Sequence, residues 1–280
     1  MSMEIKKEIY DFFAKFVYDK TGIFYPEKDY YRLDSRITTL MGHFQCETPD
    51  ELFNLYVTKR NKDMEVVLID LCTNNETYFF RDNKPFDALT KTIIPQKVAQ
   101  NGYVNLWSAA SSTGQEVLSI VMGLLENNPG FDLSKVKITA TDISQRALKK
   151  ANSFTYSSLD VQRGLPAMLL VKYFDQLPDG QWQFKSEFSK HLRYETLNLL
   201  TDNFKPNFYD VICCRNVLIY QNKENKQMIM QKLFDSIRSD GFLLMGSGES
   251  LIGTDITLTQ SSVDGAMFFV KENQTWKKAA

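Results

Sequence analysis

The chain has 280 residues, 43% hydrophobic and 13% aromatic, enough to bury a sizeable core in one or two domains. Its 33 Lys and Arg nearly balance 34 Asp and Glu, which argues against a general nucleic-acid binder, since such proteins carry a basic excess. No apolar stretch approaches membrane-spanning length and the first residues hold no apolar leader, so the chain is expected to avoid membrane insertion and to be cytoplasmic.

From the start, Ile5, Ile9, Phe12, Phe13 and Phe16 recur at helical spacing, and Thr21-Gly22 supplies a stop. The pattern predicts a second helix from Glu27 to Phe44 and a fourth from Asn61 to Leu71. Between them a third follows Thr48-Pro49, where Thr48 suits the N-cap and Pro49 the first turn. Residues 1–72 therefore read as a helical N-terminal domain, 73–85 as a linker and 86–280 as a separate domain.

In that second domain strands alternate with helices. Val104 to Trp107 is a short apolar run, followed by a small-residue loop, Ser108 to Gly114, and a helix to Asn127. A strand over Val136 to Thr141 precedes a helix from Ser144; Tyr194 to Leu197 and Tyr209 to Cys214 are further strands. Helix Lys223 to Ile237 leads to strand Phe242 to Met245. Ile256 to Ser261 and Met267 to Val270 flank Val263-Asp264-Gly265, an Asp-Gly hairpin signal. Such alternation implies a parallel α/β sheet covered on both faces, with a terminal antiparallel hairpin. The turn Pro178-Asp179-Gly180, with Trp182, Phe184 and Phe188 beyond it, predicts a small antiparallel β insertion over 178–197.

The four cysteines make no C-x-x-C pair, and His43 and His191 sit in no ligand-like cluster, so no metal site is expected. Cys213 and Cys214 lie in an apolar run and read as small buried hydrophobes. Few, unpatterned cysteines suit a reducing compartment.

In a doubly wound sheet, ligands bind outside the carboxyl ends of the strands. Four such ends carry suitable chemistry. Ser108 to Glu116 is built of small residues, although a plain strand-to-helix turn explains it as well. Asp142 could accept both hydroxyls of a ribose, or simply cap the helix near Ser144. Asn198 and Leu199 offer an amide and an aliphatic face to an adenine, while Arg215 and Asn216 present polar groups after the fourth strand. Together they indicate an adenosine cofactor, and the absence of G-x-G-x-x-G disfavours a dinucleotide. Upstream, Asn75-Glu76-Thr77-Tyr78-Phe79-Phe80-Arg81-Asp82 could be only an interdomain linker with buried aromatics.

That octapeptide resembles the N-x-T-x-F-F-R-[DE] signature of the CheR family of chemotaxis receptor methyltransferases. Trp107 to Glu116, Ala140-Thr141-Asp142-Ile143 and Cys214-Arg215-Asn216-Val217-Leu218-Ile219-Tyr220 are similar to further family blocks in order and spacing. The resemblance implies a class I, Rossmann-like methyltransferase fold. It also implies S-adenosyl-L-methionine as cofactor, leaving as S-adenosyl-L-homocysteine, and methyl-ester formation on glutamates of chemoreceptor cytoplasmic helices. By that resemblance the cofactor contacts would be Asn75, Thr77, Arg81, Glu116, Asp142, Asn198, Leu199, Arg215 and Asn216, and the catalytic pair Arg81 and Tyr220.

Four departures from the family pattern stand out. Glu116-Val117-Leu118-Ser119 replaces Glu-Pro-Tyr-Ser, and Gly246-Ser247-Gly248-Glu249 replaces Gly-His-Ser-Glu. The second helix supplies only Arg32 and Arg36, where relatives present several arginines to acidic receptor helices. The turn Pro178-Asp179-Gly180-Gln181 is short, so no dependence on a receptor-tail pentapeptide is expected. A different protein or small-molecule acceptor, or a non-catalytic signalling module, are the competing readings; intact Arg81, Asp142, Asn216 and Tyr220 argue against the module.

Overall fold

The structure, a computed structural model, describes residues 5–59 and 62–271. Its first part is helical: α1 (Lys7–Thr21), α2 (Tyr31–Phe44), α3 (Pro49–Lys59) and α4 (Lys62–Cys72). Ile9, Phe13 and Val17 of α1 meet Leu33, Ile37 and Leu40 of α2, with Leu52, Met64 and Leu68 closing the cluster. These residues share one face because they recur every three or four positions. Gly22 ends α1 at φ 73°, its N–H on the Tyr18 carbonyl. Thr48 caps α3 through the amide of Glu51, and the Glu51 carboxylate answers on the amide of Glu47.

One helix start differs from the pattern. Glu27–Asp29 forms a separate 3-10 turn, so α2 begins at Tyr31, because Tyr30 stacks on Tyr10 with ring centroids 5.4 Å apart. The predicted start at Asn61 lies outside the described residues, and α4 begins at Lys62.

Beyond the linker, α5 (Asn83–Ala88), a π-helical turn (Leu89–Ile93) and α6 (Ile94–Asn101) run on as one helix. The sequence pattern does not announce it, since the π turn inserts a residue and breaks the 3.6 period. Then follow β1 (Val104–Ala109), α7 (Gln115–Asn127), β2 (Val136–Asp142) and α8 (Gln145–Ser153). A small excursion holds β3 (Thr155–Tyr156), α9 (Ser158–Gln162), α10 (Ala167–Tyr173), β4 (Phe174–Gln176) and β5 (Trp182–Phe184). The main sheet resumes with β6 (Leu192–Thr196), β7 (Tyr209–Cys214), α11 (Lys223–Ser236), β8 (Ile237–Met245), β9 (Leu258–Val263) and β10 (Ala266–Lys271).

The seven-stranded sheet has the order β6-β2-β1-β7-β8-β10-β9, parallel through β8 and closed by an antiparallel hairpin. This is the class I methyltransferase arrangement, as expected. Every residue of β1 and β7 is buried, as central parallel strands covered on both faces require. Asp264 and Gly265, at φ 48° and 77°, make the tight turn of the hairpin.

The β insertion is corrected in place. Its three-stranded sheet, β3-β5-β4, spans 155–184 rather than 178–197, and Leu192–Thr196 joins the main sheet beside β2. Strands of two and three residues are too short to show alternation, so only β5 left a signal. Phe188 lies in a 3-10 turn, its ring 5.0 Å from that of Tyr173.

Phe79 joins the linker to the three-stranded sheet. It is fully buried, edge-on to Tyr156 at 5.3 Å and to Phe174 at 5.8 Å. Phe79→Ala is expected to cost about 3–5 kcal/mol in urea unfolding, because the cavity opens between rigid aromatic neighbours. A loss below ~1 kcal/mol would show that the linker does not depend on it.

Candidate active site

The loops after β1, β2, β6 and β7 open along one edge of the sheet, where strand order reverses between β1 and β7. The 73–82 linker and the end of α1 lie against them. Asn75, Thr77, Arg81, Glu116, Asp142, Asn198, Leu199, Arg215, Asn216 and Tyr220 all line the pocket formed there.

The loop after β1 is shaped by left-handed residues, Ala110 at φ 57° and Ser112 at φ 52°. That twist aims the Ser112 amide at Asp142, whose carboxylate also accepts from Ser144, at 2.8 and 2.9 Å. Burial raises the pKa of Asp142, and the backbone amides pull it partly back. Asp142 thus ties two loops together, while the helix cap itself is Ser144, which accepts from Ala147. The Ser144 hydroxyl donates to Asp70 of α4 at 2.7 Å and accepts from Asn75 at 3.1 Å. Gly114, which leads into α7, is required by packing. A Cβ there would stand 2.8 Å from the Tyr194 hydroxyl and 3.1 Å from that of Tyr156, at a φ of 92°.

Arg215 is buried, and the two terminal nitrogens of its guanidinium are taken up by protein. It donates to Glu116 at 3.1 Å, to Asp82 at 2.6 Å and to the Arg81 carbonyl at 2.7 Å, and lies over the Phe86 ring. The other Glu116 oxygen accepts from Ser108 at 2.7 Å. Burial opposes the charge of Arg215, but Glu116 and Asp82 outweigh it and raise the pKa.

The two expected catalytic groups are more open. Arg81 lies 5.5 Å from the Tyr78 ring centroid and reaches the Glu76 carbonyl at 3.4 Å. The Tyr220 hydroxyl accepts from the Asn74 side-chain amide at 2.8 Å, which leaves its own proton for another acceptor.

Asn198 is engaged. Its amide N–H donates to the Lys20 carbonyl at 2.8 Å and its oxygen accepts from Leu200 at 2.9 Å. Gln221 likewise donates to the Thr21 carbonyl at 3.0 Å. Both side chains hold carbonyls at the end of α1, placing Thr21 and Ile23 on the pocket wall. Sequence reasoning missed these two, and no local signal could have found them, for the contact spans most of the chain. Asn74 and Gln221 adjoin recognised motifs and were within reach. On α2, Arg32 and Arg36 lie over Tyr25 at 5.4 and 5.8 Å, as a domain-packing helix would have them.

Four buried polar atoms of pocket-lining residues, Ser111 Oγ, Asn216 Oδ1, Gln221 Oε1 and Arg215 Nε, have no protein partner. Buried polar groups are normally paired, so these suit a ligand with its own donors and acceptors. A lining that combines the apolar Leu199, Ile23 and Ile143 with the carboxylates of Asp142 and Glu116 fits a nucleoside carrying a positive charge. Among the described residues, no group of three His, Cys, Asp or Glu is placed to hold a metal. Cys213 and Cys214 are fully buried, which raises both thiol pKa values and leaves them as packing groups.

Residues 75–266 match the family model of the CheR methyltransferase, SAM binding domain. The chain is 33% identical to the chemotaxis protein methyltransferase of Vibrio parahaemolyticus over 255 residues, covering 90% of this chain and 92% of the relative. Chemotaxis protein methyltransferase 1 of Vibrio cholerae is 34% identical with the same coverage. The chemotaxis protein methyltransferase of Borreliella burgdorferi is 33% identical over 263 residues, again 90% and 92%.

Removing Arg215 alone would strand the Glu116 carboxylate, only 12% exposed, beside a neutral hydroxyl. Arg215→Met is expected to cost about 3–5 kcal/mol in urea unfolding, and adding Glu116→Gln to restore at least ~1 kcal/mol of it. Equal losses in the single and double variants would show that the pair is not coupled.

Proposed function

The chain belongs to the CheR methyltransferase family, and on that premise we propose that it esterifies glutamate side chains on chemoreceptor cytoplasmic helices. It is a methyltransferase, and S-adenosyl-L-methionine is its cofactor. What supports the glutamate reading is that Arg81 and Tyr220 line the same pocket, where a guanidinium and a free phenolic proton suit a carboxylate acceptor.

When bound, the cofactor supplies a methyl group on a positively charged sulfur. In this proposal Asp142 takes the ribose hydroxyls, for each of its oxygens has a lone pair beyond the amide it already accepts. Asn198 and Leu199 take the adenine, Asn198 with the N–H not given to Lys20. Glu116, Asn75, Thr77 and Asn216 face the methionine end. Arg215 serves that end chiefly by holding Glu116 and the Arg81 backbone in place.

An acceptor glutamate, with a pKa near ~4.3, is ionised at neutral pH and needs no general base. The protein's task is alignment. Arg81 orients the carboxylate with its planar fork, and Tyr220 donates one hydrogen bond to fix the attacking oxygen's direction. Arg32 and Arg36, the two arginines of α2, both lie over Tyr25, and the near-neutral chain lacks the basic excess of a general nucleic-acid binder.

Labelled methyl groups should pass from the cofactor to receptor cytoplasmic fragments and be released by mild base, as esters are. Tyr220→Phe and Arg81→Ala should each lower kcat about tenfold or more. Tyr220→Phe should leave S-adenosyl-L-homocysteine affinity, read by calorimetry, within about threefold. Full turnover in both variants would refute the catalytic pair, and base-stable label would refute the ester.

Asp142 also gives the cofactor site a pH dependence. Burial holds its pKa above the ordinary 3.8, so the ligand-free fold is relatively favoured below that value and loses the advantage as pH rises through the raised pKa. Ribose hydroxyls donate to the ionised form, so cofactor binding lowers that pKa. Homocysteine-product affinity should therefore weaken as pH falls from neutrality toward 3.8, and Asp142→Asn should bind more weakly at neutrality with a flatter profile. An unchanged profile in Asp142→Asn would remove Asp142 from the site.

A further inference from the structure

The loop from Arg215 to Tyr220 carries pocket residues at both ends, yet its first amides find no backbone partner. Asn216 stands at φ 58°, a left-handed conformation that side chains rarely adopt. That turn points three successive N–H groups to one side, the geometry of an anion-binding nest. A single carboxylate fills it. Glu249, from the turn after β8, accepts from Asn216 at 2.8 Å on one oxygen and from Val217 at 3.0 Å and Leu218 at 2.7 Å on the other. The first oxygen also accepts from Gly246 at 2.8 Å, so one side chain satisfies four backbone donors.

The packing around it leaves no slack. A Cβ on Gly246 would come within 2.9 Å of both the Asn216 side-chain nitrogen and the Glu249 carboxylate, and 3.0 Å from the Asn216 amide. Leu218 N, one of the four donors, opens the 3-10 turn Leu218–Tyr220. The carboxylate thus sits at the base of the turn that sets the direction of Tyr220.

We propose that Glu249 is a positioning residue: its carboxylate moulds the Asn216–Leu218 backbone and thereby places Asn216 toward the cofactor and Tyr220 toward the acceptor. The Tyr220 half of this rests on the function proposed above; the Asn216 half needs only cofactor binding. A glutamine keeps the shape but turns an NH₂ onto two N–H donors, so two of the four bonds are lost and donors abut.

Glu249→Gln should weaken S-adenosyl-L-homocysteine binding about tenfold by calorimetry and lower kcat for receptor-fragment methylation about tenfold or more. In a Tyr220→Phe background the same change should cost kcat less than about threefold, since a misplaced ring has no hydroxyl left to lose. A merely structural role would give equal factors in both backgrounds, and that result, or unchanged affinity, overturns the proposal. Should Glu249→Gln fail to fold, Gly246→Ala pushes the same two loops apart with the carboxylate intact. A tenfold weaker affinity there supports the proposal and wild-type affinity refutes it. If the wild-type protein methylates no receptor fragment, the functional reading falls, while the affinity measurements still decide the role of Glu249.

Discussion

Arg215 holds a full positive charge almost out of water, and the site is arranged around that fact. A guanidinium in this position is tolerable only if its charge is met by anions and carbonyls in fixed directions, here at both terminal nitrogens. Glu116 comes from the start of α7, Asp82 and the Arg81 carbonyl from the linker. The requirement to satisfy one buried cation therefore brings two distant segments to the end of β7. Without it the linker would have Phe79 to anchor it but little to set the direction of Arg81.

Carboxylates do the complementary work. Asp142 and Glu249 each collect backbone amides from loops that have left their strands, two in one case and four in the other. Those loops contain Ala110, Ser112 and Asn216 in left-handed conformations, each costing on the order of 1–3 kcal/mol. Hydrogen bonds to a carboxylate are among the stronger ones available, and here they offset that strain. Strained backbone and buried acid occur together because a ligand-facing edge needs loops that regular structure would not make.

The helical domain is part of the pocket as well as its neighbour. Asn198 and Gln221 hold the last carbonyls of α1, Asn222 holds the Tyr18 hydroxyl, and Ser144 meets Asp70 of α4. Loops that line the pocket thus carry the contacts that seat the helices. Cofactor binding and the seating of the helical domain are in this way mechanically linked through the same side chains.

Local pattern settled a good deal. The spacing of Ile5, Ile9, Phe12, Phe13 and Phe16 dictates α1, the apolar run Tyr209–Cys214 dictates a buried central strand, and Asp264-Gly265 dictates the closing hairpin, because each depends on neighbours a few positions away. The ten residues expected at the site do share one pocket, since strand-end loops of a doubly wound sheet must converge. Only the tertiary structure decided what those side chains are bonded to: that Arg215 clamps the linker, that Asn198 is given to α1, that Thr21 and Ile23 form a wall, and that Glu249 fills a nest. It also decided the course of the short strands β3 and β4 and of the π-interrupted helix before β1. These depend on partners tens to hundreds of residues away, and a linear pattern carries no record of which distant donor meets which acceptor.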